Sequence, residues 1–229
     1  MNAMFAFPEI QRAGCARSSF AGVIFDFDGT LGDSMYVWTD IDRRFCERYG
    51  LILPDTYSDD IIGLGFEGTA RYFIEELGLK MSVEACCDEF NALAYEAYRD
   101  EVELKPGARD YLEVLHERGV PLAMASSLNI KLLGAALEHN GVRDYFEAFN
   151  LCDDLNTHKN ESKIFLASAA SLGVDPQDCL VFEDIVPAIR SAKRVGMTAV
   201  AVYDEHDSQD TPTIKGLADG FIEDFTQLQ

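Results

Sequence analysis

The stretch AGVIFDFDGTLGDS, from Ala21 through Asp26, Asp28 and Gly29 to Ser34, decides the fold. It opens as a short apolar run in which Val, Ile and Phe follow one another without polar alternation. A strand of that kind is buried on both faces, as in a parallel sheet covered by helices. The run ends in two aspartates spaced i, i+2 and then a glycine. Open parallel sheets bind ligands outside the carboxyl ends of their strands, so both aspartates can face one crevice. A carboxylate there can ligate a hard cation or attack phosphorus, and Mg²⁺ favours oxygen ligands and works with substrate phosphate. Gly29 allows a sharp turn and lets backbone amides approach an anion.

Working outward, similar apolar runs recur at Pro121–Ser126, Ala148–Cys152, Cys179–Asp184 and Thr198–Asp204. Helical patterns lie between them, at Arg109–Arg118, Ile130–His139, Lys163–Leu172 and Pro187–Val195. Strands alternating with helices predict an α/β fold, a Rossmann-like doubly wound parallel sheet. One interval breaks the alternation. Residues 33–105 contain no strand pattern and read as helices over 35–49, 66–77 and 82–100, with Gly63 and Gly65 as punctuation. That is too long for a βα crossover. The chain is therefore predicted to have a core of residues 1–33 and 106–229 and an inserted all-helical domain of residues 34–105. Pro106 returns the chain to the core and can open the next helix. Residues 1–20 carry no element assignment.

Composition limits the function. Forty acidic against 19 basic residues give a formal charge of −21, a field that repels nucleic acid and anionic lipid. No window is apolar for the ~18 residues a membrane helix needs, and the first twenty residues lack the pattern of a signal peptide. Six cysteines show neither CxxC nor framework spacing, and adjacent Cys86 and Cys87 fit two faces of one helix. Reduced thiols and a cytoplasmic location are expected. The oligomeric state is open between monomer and dimer.

Three further motifs sit at strand ends. Ser126, followed by Ser127, can donate to a phosphate oxygen near a helix N-terminus, or can simply cap that helix. In THKNESKIF, either Lys159 or Lys163 can neutralise phosphate. Glu183 and Asp184 end a buried strand side by side, where their repulsion is relieved by a divalent cation.

Together these motifs resemble the haloacid dehalogenase superfamily, mainly Mg²⁺-dependent phosphatases. DFDGTLGDS is similar to the family's first motif, and the helical insertion falls where the family places its C1-type cap. The resemblance implies that Asp26 is the nucleophile forming an aspartyl-phosphate and Asp28 the general acid/base. It implies that Ser126, with Ser127 and Gly29, binds phosphate. Asp26, Asp28 (through its backbone carbonyl), Asp184 and Glu183 would make the Mg²⁺ site, with Glu183 in contact with the metal or just behind it. Aligning Ile164-Phe165 with the family's IF puts Lys159 on the family lysine and leaves Lys163 as a solvated first-turn residue. The family's two prolines beside this lysine are replaced by Asn160 and Ser162, and its serine after the fourth motif is absent.

The cap must choose the substrate. Asp28 argues against a true haloacid dehalogenase. The first lysine in the chain is Lys80, too late for a phosphonate-cleaving cap. Relatives of the β-phosphoglucomutase type carry a histidine where Trp38 stands and basic groups around the cap glycine, where this chain has Ile62 and Phe66. A mutase must hold two phosphates, so hydrolysis of a small phosphorylated metabolite is the preferred expectation. Trp38, Ile62, Leu64 and Phe66 are candidates to line the lid, with packing in the cap core as the alternative for Trp38 and Phe66. A sugar-phosphate mutase and a catalytically silent binding protein are the rivals.

Overall fold

The computed structural model describes residues 3–54, 57, 65–205 and 211–229, with the side chains of 65 and 66 left aside. Six strands form one parallel sheet: β3 (Gly22–Phe25), β4 (Leu122–Ser126), β5 (Ala148–Leu151), β6 (Cys179–Glu183), β7 (Thr198–Val202) and β8 (Gly220–Ile222). Their spatial order is β5-β4-β3-β6-β7-β8. The chain moves outward from β3 through β4 to β5, then crosses back to β6 and moves out the other way. The reversal opens a crevice at the carboxyl ends of β3, β4 and β6.

Apolar side chains serve both faces of the sheet. Val23 and Phe25 of β3 join Leu122, Met124, Leu180 and Phe182 on one face. Helices α4 (Ala108–Glu117) and α5 (Ile130–His139) cover it with Leu112, Leu115, Leu132 and Leu133. Ile24, Ala123, Val181 and Ala199 point to the other face. There α6 (Lys163–Ser171), α7 (Val186–Arg194) and α8 (Thr211–Leu217) supply Phe165, Ile189 and Ile214. The sheet is doubly wound and Rossmann-like.

Between β3 and β4 lie α1 (Met35–Tyr49), α2 (Gly65–Glu75) and α3 (Val83–Asp100). Phe45, Phe73 and Phe90, one from each helix, meet at ring-centroid distances of 4.5 to 5.5 Å. Gly65 is the first described residue of α2, and Gly63 lies outside the described residues. Helix α3 also packs along α5, where the Lys131 ammonium lies 4.5 Å from the Tyr95 ring centre. Ser82 caps α3 by accepting from the Ala85 N–H at 3.1 Å, as a helix N-terminus requires.

The two strands of chain entering and leaving this helical segment are tied together. Asp33 N–H donates to the Glu103 carbonyl at 2.9 Å, and Lys105 N–H to the Leu31 carbonyl at 2.8 Å. The buried Lys105 ammonium pairs with buried Asp204 at 2.8 Å and donates to the Tyr203 carbonyl at 2.5 Å. Gly107 has φ +76°, and a Cβ there would fall 2.5 Å from the Thr226 nitrogen, so α4 starts at Ala108 after this glycine and not at Pro106.

Residues 3–20 are an ordered extension of the core. β1 (Phe5–Ala6) pairs antiparallel with β2 (Ser19–Phe20), and Phe7, Ile10, Cys15 and Phe20 are buried. No described helix is long and apolar enough to cross a membrane.

Candidate active site

The first motif leaves β3 directly into the crevice. Asp26 N–H still holds the sheet by donating to the Phe182 carbonyl at 3.1 Å, which fixes where its side chain begins. Gly29 then turns the chain with φ +72°. A Cβ at Gly29 would lie 2.3 Å from Asp184 Oδ2, so only glycine lets the first and fourth motifs approach this closely. Thr30 Oγ1 donates to Asp184 Oδ1 at 3.2 Å and strengthens the same junction.

A cleft of about 160 Å³ brings Asp26, Asp28, Ser126, Ser127, Lys159 and Asp184 together. Met35, Trp38 and Ile185 form the rest of its wall. Lys159 is buried, and its Nζ contacts Asp26 Oδ1 at 2.7 Å and also Glu183 Oε1. Burial alone would lower the Lys159 pKa, but Asp26 and Glu183 outweigh it and hold the ammonium above the ordinary lysine range. Lys163 sits at the start of α6, where Nζ donates to the Leu155 carbonyl at 2.5 Å in an exposed position. Ser126 Oγ accepts from the Leu128 N–H at 3.1 Å, and Ser127 Oγ lies 3.6 Å from Cys152 Sγ.

Three buried carboxylates, of Asp26, Glu183 and Asp184, place oxygens within 4.8 Å of one another. Burial pushes Asp184 well above the ordinary carboxylate range, and the charges of Glu183 and Asp26 add to it. One lysine does not balance three acids, and an all-oxygen donor set fits a hard divalent cation. The three differ in what remains free. Glu183 is fully buried, with one oxygen on Lys159 and the other accepting from the Asp184 N–H at 3.1 Å and the Ile185 N–H at 3.4 Å. Asp26 and Asp184 reach the cleft.

Asp28 stands apart from that cluster. Its Oδ1 accepts from Ser34 Oγ at 2.7 Å and from the Tyr98 hydroxyl at 2.6 Å. Burial raises its pKa from 3.8 to about 6, although both hydrogen bonds pull it down. Folded Asp28 therefore keeps its proton to higher pH than the unfolded chain does. Its contribution to stability is full below about pH 4 and is lost as pH rises through about 6. In metal-free protein at pH 7.5, Asp28→Asn should be more stable than wild type by on the order of 1–3 kcal/mol. The gap should close toward pH 4. Urea unfolding in EDTA at the two pH values measures it, and an unchanged or reversed gap would contradict this assignment.

Nothing in the sequence marks Tyr98, because it continues the apolar stripe of α3 through Phe90, Ala94 and Ala97. A large phenol ending such a stripe needs a partner for its hydroxyl, and that need is the signal it carries. Trp38 faces the cleft and lies 6.0 Å, centre to centre, from the Tyr98 ring. Ile62 and Leu64 lie outside the described residues, as does the side chain of Phe66.

Comparison with known proteins follows the same lines. The family model for haloacid dehalogenase-like hydrolases matches residues 23–202. The Bacillus subtilis protein YhcW, provisionally named a phosphatase, is 32% identical over 79% of this chain and 82% of its own. The fructose-1-phosphate phosphatase YqaB of Escherichia coli is 31% identical over 80% of this chain and 96% of its own. A Thermotoga maritima crystal structure, provisionally named a β-phosphoglucomutase, superposes with a TM-score of 0.79 at 24% identity, covering 90% of this chain and 96% of that one. That likeness speaks to the fold, and the sequence relatives carry phosphatase names. This chain belongs to the haloacid dehalogenase-like hydrolases.

Proposed function

We propose that the chain is a Mg²⁺-dependent phosphatase that hydrolyses a small phosphorylated metabolite through an aspartyl-phosphate on Asp26. The observation that carries this is the placement of Asp26: a carboxylate at the sheet's reversal point, 2.7 Å from Lys159 Nζ and grouped with Asp184. Asp26 and Asp184, with the backbone carbonyl of Asp28, would hold the cation, and Glu183 behind them orients Lys159 and the turn at Asp184. Bound there, Mg²⁺ supplies charge neutralisation and fixes the phosphoryl oxygens.

The residues divide the work. An oxygen of Asp26 attacks phosphorus as the bond to the leaving oxygen breaks, and Asp28 gives that oxygen its proton. Water then attacks phosphorus, Asp28 takes the proton back, and the bond to Asp26 breaks to release phosphate. Lys159 screens Asp26 from the incoming dianion, and Ser126 and Ser127 border the phosphoryl position. In this reading residues 34–105 are the cap, which excludes bulk water when substrate is bound. The acidic chain suits a free metabolite in the cytoplasm better than a polyanion.

A mutase would need a second cationic pocket. Of the residues forming the described cleft, Lys159 is the one cation, and it is engaged by Asp26 and Glu183. The test is phosphate release across sugar phosphates, nucleoside monophosphates, flavin mononucleotide and phosphoglycolate, with Mg²⁺ and with EDTA. Release from one group with Mg²⁺ and none with EDTA is expected. Release that EDTA leaves undiminished, or hexose-phosphate isomerisation without hydrolysis, would overturn the reading.

A further inference from the structure

Asp28 has two carboxylate oxygens, and the structure treats them differently. Both short hydrogen bonds fall on Oδ1, from Ser34 Oγ at 2.7 Å and the Tyr98 hydroxyl at 2.6 Å. A carboxylate oxygen has two lone pairs, so two donors fill it. The proton that Asp28 exchanges is then confined to Oδ2. The two donors come from different places. Ser34 belongs to the first motif itself, eight residues beyond Asp26. Tyr98 lies seventy residues away on α3 and is fully buried. Its ring is fixed by Phe27 at 6.3 Å and Trp38 at 6.0 Å between centres. Helix α3 is in turn seated on the core helix α5. A phenol is protonated at neutral pH and donates.

We propose that Tyr98 is a positioning residue for proton transfer: it occupies Oδ1 of Asp28 and so aims Oδ2, the oxygen that carries the proton, at the leaving group. The proposal rests on Asp28 being the acid/base. It adds that the helical segment supplies part of the catalytic geometry and does more than cover the site. No atom of Tyr98 touches substrate in this scheme.

Leaving-group dependence separates this role from a structural one. The protein is assayed with 4-nitrophenyl phosphate, whose leaving group departs with little need of a proton, and with an alkyl phosphate that wild type hydrolyses. kcat/KM is compared because it reports phosphoryl transfer to Asp26 and not the later water attack. Tyr98→Phe deletes the hydroxyl and keeps the ring. It should lower kcat/KM for the alkyl ester about tenfold or more and for the aryl ester by less than about threefold. Ser34→Ala, which empties the same oxygen from the other side, should show the same split. Equal losses on both esters would mean that Tyr98 serves packing only and would overturn the proposal. Asp28→Asn distinguishes the two ways of failing. If it also fails to discriminate between the two esters, Asp28 is not the acid. If it abolishes alkyl turnover while Tyr98→Phe and Ser34→Ala do not discriminate, the acid stands and the positioning role falls.

Discussion

Asp26→Asn should release no phosphate from any ester that wild type hydrolyses, a loss of at least about 10⁴-fold, since a covalent route has no substitute for its nucleophile. The amide oxygen is a poor nucleophile and carries no charge for a cation. It can still accept from Lys159 Nζ, now 2.7 Å from Asp26 Oδ1. The variant also removes one of three crowded buried carboxylates, so its metal-free form should unfold at no lower temperature than wild type. Inactivity with preserved stability is therefore the expected pair of results. Activity within about tenfold of wild type would remove Asp26 from the chemistry.

Lys159→Met should damage both activity and stability. Among the described residues the ammonium is the cation that meets Asp26 and Glu183, and its Nζ lies 6.0 Å from the Phe165 ring centre. Methionine keeps an unbranched side chain and deletes the charge. Removing one partner of a buried ion pair leaves uncompensated charge and costs about 3–5 kcal/mol. The cost depends on pH with a definite sign. Burial already makes Glu183 and Asp184 hold their protons to higher pH than in the unfolded chain, and losing Lys159 removes the charge that opposes this, so the deficit should be larger at pH 8 than at pH 5. Mg²⁺ should restore part of it by binding the folded state. Turnover should fall about 10²- to 10³-fold, the usual cost of losing one preorganised charge at a developing anion. Urea unfolding at both pH values, with EDTA and with Mg²⁺, checks the stability half. A deficit that is independent of pH and of Mg²⁺ would contradict the charge argument.

The core was legible because its signals are local and strong. The β3 run and the acidic pairs ending β3 and β6 stand next to each other in sequence, and burial on both faces shows as unbroken Val, Ile and Phe. The boundaries shifted by one or two residues: the run at 21–27 yields a strand at Gly22–Phe25, because the paired ladder ends there and Phe27 already belongs to the turn. Helix α1 stands at Met35–Tyr49 as its periodicity indicates. What sequence could not show is set by distance. The two-residue strands β1 and β2 and the three-residue β8 are too short for a period, and they exist through pairing with strands outside their own stretch. The Lys105–Asp204 pair joins a linker to a strand end nearly a hundred residues later, and neither residue stands out in its own neighbourhood. Lys159 and Lys163 are four residues apart in one polar stretch, and only the fold shows that Lys159 turns into the site from the loop while Lys163 opens α6 in an exposed position. Tyr98 is hidden by its own helix, since an aromatic on an apolar stripe reads as core until its hydroxyl's partner is seen. The same rule explains Glu183 and Asp184. Adjacent acids show that charge is gathered, and only the fold shows that Glu183 is spent on Lys159 and backbone N–H groups while Asp184 reaches the cleft.

The most direct test of the account is to trap the covalent intermediate. Protein turning over a ³²P-labelled monoester with Mg²⁺ is quenched in acid, digested, and the labelled peptide identified. Label is expected on the peptide holding Asp26, released by hydroxylamine as an acyl phosphate should be, and absent with EDTA or in Asp26→Asn. Label on any other residue, or Mg²⁺-dependent phosphate release that persists in Asp26→Asn, would contradict it.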